Sequence, residues 1–267
     1  MSRLPLYLAF IKIKLNGVVE YRGAFLLTSF SKASVWVTEF LLIYILISKF
    51  KQIAGWGTYE VMFLYALSLA SYSFAGFFLF HPCMKLASRI QSGEFDEILT
   101  KPINPFLYLV CKEFSTGYFN NVIVAIGVII ICFNKLQITL SAMNLLFLVL
   151  VLIGGTLIQG AAFLFTSVPA FWITNNKALI DLFMFDLKRF IQYPISAYSK
   201  FLQVLLTLLF PYAFINFYPA QYFLEKNDFL MFHPLVQFLN PIIGIVLFTL
   251  ALMFFFKGIK HYNSTGS

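Results

Sequence analysis

The residues best placed to do chemistry lie in one short stretch, Met84 to Asn104, MKLASRIQSGEFDEILTKPIN. Lys85 and Arg89 stand four apart, which puts them on one face of a short helix over Met84 to Gln91. Ser92-Gly93 reads as its end, since glycine serves as a helix C-terminal residue. Glu94, Asp96 and Glu97 then place three carboxylates together, and Phe95 to Lys101 reads as a second short turn that Pro102 stops. Charges of both signs on preset turns suit a docking element, where they steer a partner and fix its register. A solvated acidic loop has the same composition.

A second set of candidates sits in apolar surroundings. Glu39 is deep in a hydrophobic run, and an intramembrane carboxylate is costly enough to be a functional candidate by default. Lys32 is seven residues away on the same helix face, about 10 Å along the axis, too far to pair with it. It lies near the inner interface and snorkels. Asn120, Asn121 and Gln159 are candidates for the pathway and equally for hydrogen bonds between helices. Catalytic and metal chemistry finds little support. His81, His233 and His261 fall on different connections, Cys83, Cys111 and Cys132 have no CxxC spacing, and no GxSxG elbow occurs. No metal site and no enzyme activity is expected of this chain.

The elements that must carry these residues follow from composition. The chain is 60% hydrophobic and only 11% charged, with mean hydropathy +0.84, against about 25% charge in soluble domains. Lipid is the solvent that accommodates this, so an all-α polytopic membrane protein is expected as a single domain over 1–267. Six apolar segments run from about Phe25 to Ser48, Val61 to Cys83, Phe114 to Phe133, Met143 to Val168, Phe201 to Phe217 and Val236 to Phe256. Pro211 and Pro241 interrupt the last two. The 34 phenylalanines suit lipid-facing surface, while Ala66, Ala70 and Ser73 on span two and Gly154, Gly155, Gly160 and Ala161 on span four suit close helix packing. The stretch Leu4 to Tyr21 reads as an interfacial helix. The net charge of +8 does not point to nucleic acid here, because it is spread over short connections. With the N-terminus inside, fourteen Lys and Arg fall in cytoplasmic parts and four outside, so both termini are expected in the cytoplasm. The connections 84–113 and 169–200 are then the long internal ones.

The run IQSGEFDEILTKPINP resembles the permeases of ABC-2 type transporters, through Gly93, Glu94, Asp96, Leu99, Pro102 and Asn104. A second match is Phe171-Trp172, then Tyr193-Pro194 and Tyr198, then the run Leu209 to Ala220, LFPYAFINFYPA. Tyr212 replaces the usual phenylalanine and Lys200 an arginine. The resemblance covers nearly the whole chain. It implies six spans, an N-terminal interfacial helix and a coupling helix between spans two and three, here about Lys85 to Gln91. ATPase coupling would fall to Lys85, Arg89, Gly93, Glu94, Asp96, Glu97 and Pro102. It also implies two copies of a separate ABC ATPase holding ATP and Mg, and a second permease, identical or paralogous. The resemblance further implies the bacterial cytoplasmic (inner) membrane as the setting and export of an amphiphilic lipid, drug or peptide as the task. No GxxxxGKS or GxxxxGKT run occurs, so this chain is expected to bind no cofactor itself. An ion-coupled secondary transporter using Glu39 is the alternative, and a membrane-embedded transferase a weaker one. No internal repeat of the kind common in secondary transporters is visible.

Overall fold

A computed structural model of the chain describes residues 4–20, 22–173 and 175–262. The helices are α1 (Leu4–Glu20), α2 (Arg22–Phe50), α3 (Thr58–Gln91), α4 (Glu94–Thr100), α5 (Pro105–Lys112), α6 (Thr116–Lys135), α7 (Ala142–Phe171), α8 (177–190), α9 (Lys200–Leu209), α10 (Tyr212–Leu224) and α11 (Asn240–Lys260). The described sheet is one small hairpin, Gln52–Ile53 against Trp56–Gly57. The protein is all-α and polytopic. From Leu26, α2 is long and apolar enough to cross a bilayer, as are α3, α6, α7 and α11; α9 with α10 passes the same test jointly but bends by 79°. Arg3, one of the fourteen cytoplasmic charges, lies outside the described residues.

The central post is α3. Its most apolar stretch is 83% buried, against 17% for that of α2, so the other helices pack around α3 while α2 leaves most of its surface free. Small residues do their expected work between α7 and α11. A Cβ on Gly244 would lie 2.5 Å from the Gly154 carbonyl oxygen, so the two backbones touch there. The phenylalanines are less lipid-facing than their number suggests. Phe63, Phe95, Phe163, Phe217 and Phe255 are fully buried, and Phe63 meets Phe133 and Phe223 in an inner aromatic cluster.

Three differences from the sequence expectations have identifiable causes. Residues 85–91 are not a separate helix but the end of α3, which runs on past Cys83. A wide i→i+5 turn over Gly76–Phe80 precedes Pro82 and lets the helix continue. In that register the Phe77 carbonyl would need the N–H that Pro82 lacks, and the Ser115 amide donates to it instead, at 2.9 Å. Pro241 does not interrupt the last span but sits in its first turn, where the missing N–H costs no hydrogen bond.

The third difference concerns 169–200. Rather than remaining at one end, the chain turns back as α8, which runs about 21 Å along the bundle at 1.5 Å per residue. Asn176 anchors its start by donating to the Thr166 and Ser167 carbonyls at the end of α7. Just beyond its far end, Asn216 ties the Ile191 carbonyl to the Leu64 carbonyl of α3, at 2.6 and 3.0 Å. Lys188 is therefore inside the bundle. Taking it out of the charge count, with Arg189 and Lys200 that follow it away from the inner end, leaves the direction of the bias unchanged. Pro211 lies at the bend between α9 and α10, in keeping with its expected helix-ending role.

Candidate functional site

At the end of the bundle where α3 runs out, Gly93 makes a sharp turn at φ 73°, a left-handed conformation that glycine adopts without strain. The turn sets α4 across the bundle end. Phe95 and Ile98 are buried, and Phe95 packs edge-on against Phe171 of α7 and Tyr262 beyond α11, at 5.3 and 5.1 Å. Glu97, Leu99, Thr100 and Pro102 face outward. Asn104 caps α5 by accepting from the Leu107 amide at 3.1 Å, with Pro105 in its first turn.

The three carboxylates do not share one spot; each is drawn to its own partner. Glu94 faces the Arg89 Nε at 3.5 Å and Lys112 at 3.8 Å. Glu97 pairs with Lys101 at 2.6 Å, and Lys101 also donates to the Tyr108 hydroxyl at 3.0 Å. Asp96 faces the Tyr262 phenol, whose pKa is pushed up to about 12 by burial and by that carboxylate. Among the described residues no group of His, Cys, Asp and Glu could hold a metal ion.

The hub of this network is Glu113, which the sequence pattern did not single out. One of its oxygens takes Arg89, and the other takes Lys85 at 3.0 Å. Burial alone would push the Glu113 carboxyl up; the hydrogen bonds from Lys85 and Arg89 outweigh it and hold its pKa below the usual range. A carboxyl with a depressed folded-state pKa contributes stability above its unfolded value, about 4.3 for glutamate, and that contribution is lost as pH falls through the folded value. Glu113→Gln is therefore expected to lower stability by about 3 kcal/mol at pH 7, since it leaves the buried Arg89 with only the more exposed Glu94, at 3.5 Å, as counter-charge. Melting curves of wild type and variant should converge toward pH 3; parallel curves over that range would contradict the pairing.

The second site is inside the bundle. The Tyr65 hydroxyl of α3 donates to Glu39 of α2. The Lys188 ammonium of α8 lies 3.5 Å from the Tyr72 ring centroid and 5.0 Å from that of Trp36. Glu39 is the carboxylate that acts on it. Lys188 is buried, whereas Asp186 and Arg189 on the same helix are exposed. Asn121 and Gln159 are buried with the Asn121 Oδ1 and Gln159 Nε2 unpartnered among the described residues, and Asn120 is half-buried. Lys188 does not stand out in the sequence, because the four charges in DLFMFDLKRF hide an otherwise apolar helix from a hydropathy window.

Charged side chains held inside a bundle of apolar spans mark a membrane transport protein. The chain belongs to a defined family of them: a family model described as ABC-2 family transporter protein matches residues 33–266. It is accordingly a multi-pass permease component of ABC transport. No curated protein and no solved structure matches it.

Proposed function

We propose that this chain is the membrane half of an ATP-driven exporter in the bacterial cytoplasmic membrane, with both termini and α4 in the cytoplasm. It binds no nucleotide. A separate ABC ATPase, in two copies, holds ATP and Mg and docks on the outward face of α4. The observation that carries this reading is the anchoring of α4. Phe95 joins it to the ends of α7 and α11, while Arg89 and Glu113 join α3 to the start of α6. A push on α4 therefore reaches four long helices through packed side chains rather than through a loose loop.

A second permease, identical or paralogous, completes the pathway. Asp181, Asp186 and Arg189 are exposed on α8, which runs beside the buried middle of α3. Charges at that depth are not stable against lipid, so this face borders water or another subunit. The substrate is an amphiphile (a lipid, drug or peptide) that passes along this face, with the charges of Glu39 and Lys188 set behind it.

Glu39 also supports the alternative, ion-coupled transport. Proteoliposomes containing the chain with its co-purified partners separate the two. Export of a fluorescent amphiphile is expected to require ATP and to persist when a protonophore collapses the proton gradient. Export that fails with the protonophore and proceeds without ATP would favour ion coupling instead.

A further inference from the structure

Lysines from three different helices lie within electrostatic reach of His81 near the α4 end. Lys32 of α2 reaches across to the first turn of α6, where its Nζ lies 2.7 Å from the position a Cβ on Gly117 would take, with Ser115 nearby. Lys85 of α3 is one turn from His81, and α1, which carries Lys14, touches the Thr116–Tyr118 turn. The charges that act on the His81 ring are those of Lys85, Glu113, Lys32 and Lys14. Only one of the four is negative, and Glu113 already has one oxygen on Arg89 and the other on Lys85. Among the described residues no carboxylate pairs with Lys14 or Lys32.

Folding that gathers like charges from separate elements works against itself unless an anion joins them. The neighbouring surface indicates which anion. Phe77 and Phe114 stack at 5.7 Å, and Phe78 and Phe119 beside them are exposed, so an apolar ridge leads along the spans from the lysines. A phosphate at the lysines with acyl chains along that ridge is the outline of a phospholipid. We propose that Lys14, Lys32 and Lys85, with His81, form a binding site for the headgroup of an anionic phospholipid of the cytoplasmic leaflet. The site fixes α1 and the inner end of α2 against α3 and α6. The leaflet follows from the orientation proposed above; binding itself depends on neither ATP nor transport.

The test is thermal unfolding of the full-length protein, purified with its partners in detergent, with phosphatidylglycerol, phosphatidylcholine or inorganic phosphate added. Phosphatidylglycerol is expected to raise the wild-type Tm by about 5 °C at saturation, with phosphatidylcholine and phosphate giving little. The Lys14→Gln/Lys32→Gln variant is expected to bind it about 10- to 30-fold more weakly, while Lys49→Gln/Lys51→Gln at the far end of α2 binds as wild type does. Lys85 is left intact because it also holds Glu113. An equal shift with phosphatidylcholine, or with phosphate alone, overturns the proposal on the wild-type protein without any variant. So does undiminished binding by Lys14→Gln/Lys32→Gln, or an equal loss in the far-end control. These outcomes concern lipid only, so failure here leaves ATP coupling standing.

Discussion

Glu97→Lys combined with Leu99→Asp is expected to release the ATPase partner while leaving the membrane fold at its wild-type Tm. Both side chains point outward from α4, and Leu99 is an apolar group 37% exposed beside a carboxylate. Neither contributes to the buried face made by Phe95 and Ile98. Glu97 does lose Lys101, but that pair is solvent-exposed, and such pairs contribute little to stability. Glu94 and Asp96 are poorer probes, because Glu94 also balances Arg89 and Lys112 and Asp96 faces Tyr262. Gly93→Pro should also uncouple the two subunits, for a different reason. Proline fixes φ near −65°, which is incompatible with the +73° turn that aims α4. Arg89→Ala is the contrast, since it leaves the half-buried Glu113 with only the exposed Lys85 and should cost about 3 kcal/mol of stability. Pull-down of the ATPase and Tm, measured together on the three variants, separate a lost docking face from a lost fold. If the Glu97/Leu99 variant retains full ATPase binding, the outward face of α4 is not the docking surface.

The second large effect concerns the buried charge. Lys188→Met is expected to leave Tm unchanged or to raise it, because Lys188 has no ion-pair partner among the described residues and burying an unpaired charge is costly. Export should nevertheless fall by about tenfold or more, since an ammonium held over Tyr72 and Trp36 at such cost is there for function. Glu39→Gln keeps an acceptor for the Tyr65 hydroxyl but removes the charge. It should lower export with ATP hydrolysis intact. Normal export in both variants would assign Glu39 and Lys188 to structure alone.

Much of this architecture is readable in the sequence, because lipid demands long apolar runs. The helices at Leu26–Phe50, Thr116–Lys135, Ala142–Phe171 and Asn240–Lys260 lie close to the apolar segments read from hydropathy. The motif over Gly93 to Asn104 likewise places its glycine at a left-handed turn and its asparagine at a helix cap. What escaped notice depends on contacts between distant parts of the chain. Nothing local marks Glu113 as the partner of both Lys85 and Arg89, 28 and 24 residues away. The spacing of Phe95 and Ile98 within an acidic run was a usable signal for a buried face. Lys188 was obscured by its neighbours Asp186 and Arg189, which lower the average hydropathy of α8 while facing the other way. The continuation of α3 past Pro82 required the wide turn at Gly76–Phe80, a backbone detail without a composition signature.

A permease that receives its energy through α4 from a separate ATPase must carry that ATPase with it. Affinity purification of the tagged chain from its native membrane, with mass spectrometry and ATP-hydrolysis assays on the eluate, tests it most directly. The expected result is a co-purifying subunit with a P-loop, hydrolysis that requires that subunit, and loss of both in the Glu97→Lys/Leu99→Asp variant. A chain that elutes without any ATPase, or an ATPase held as firmly by the variant as by the wild type, would contradict it.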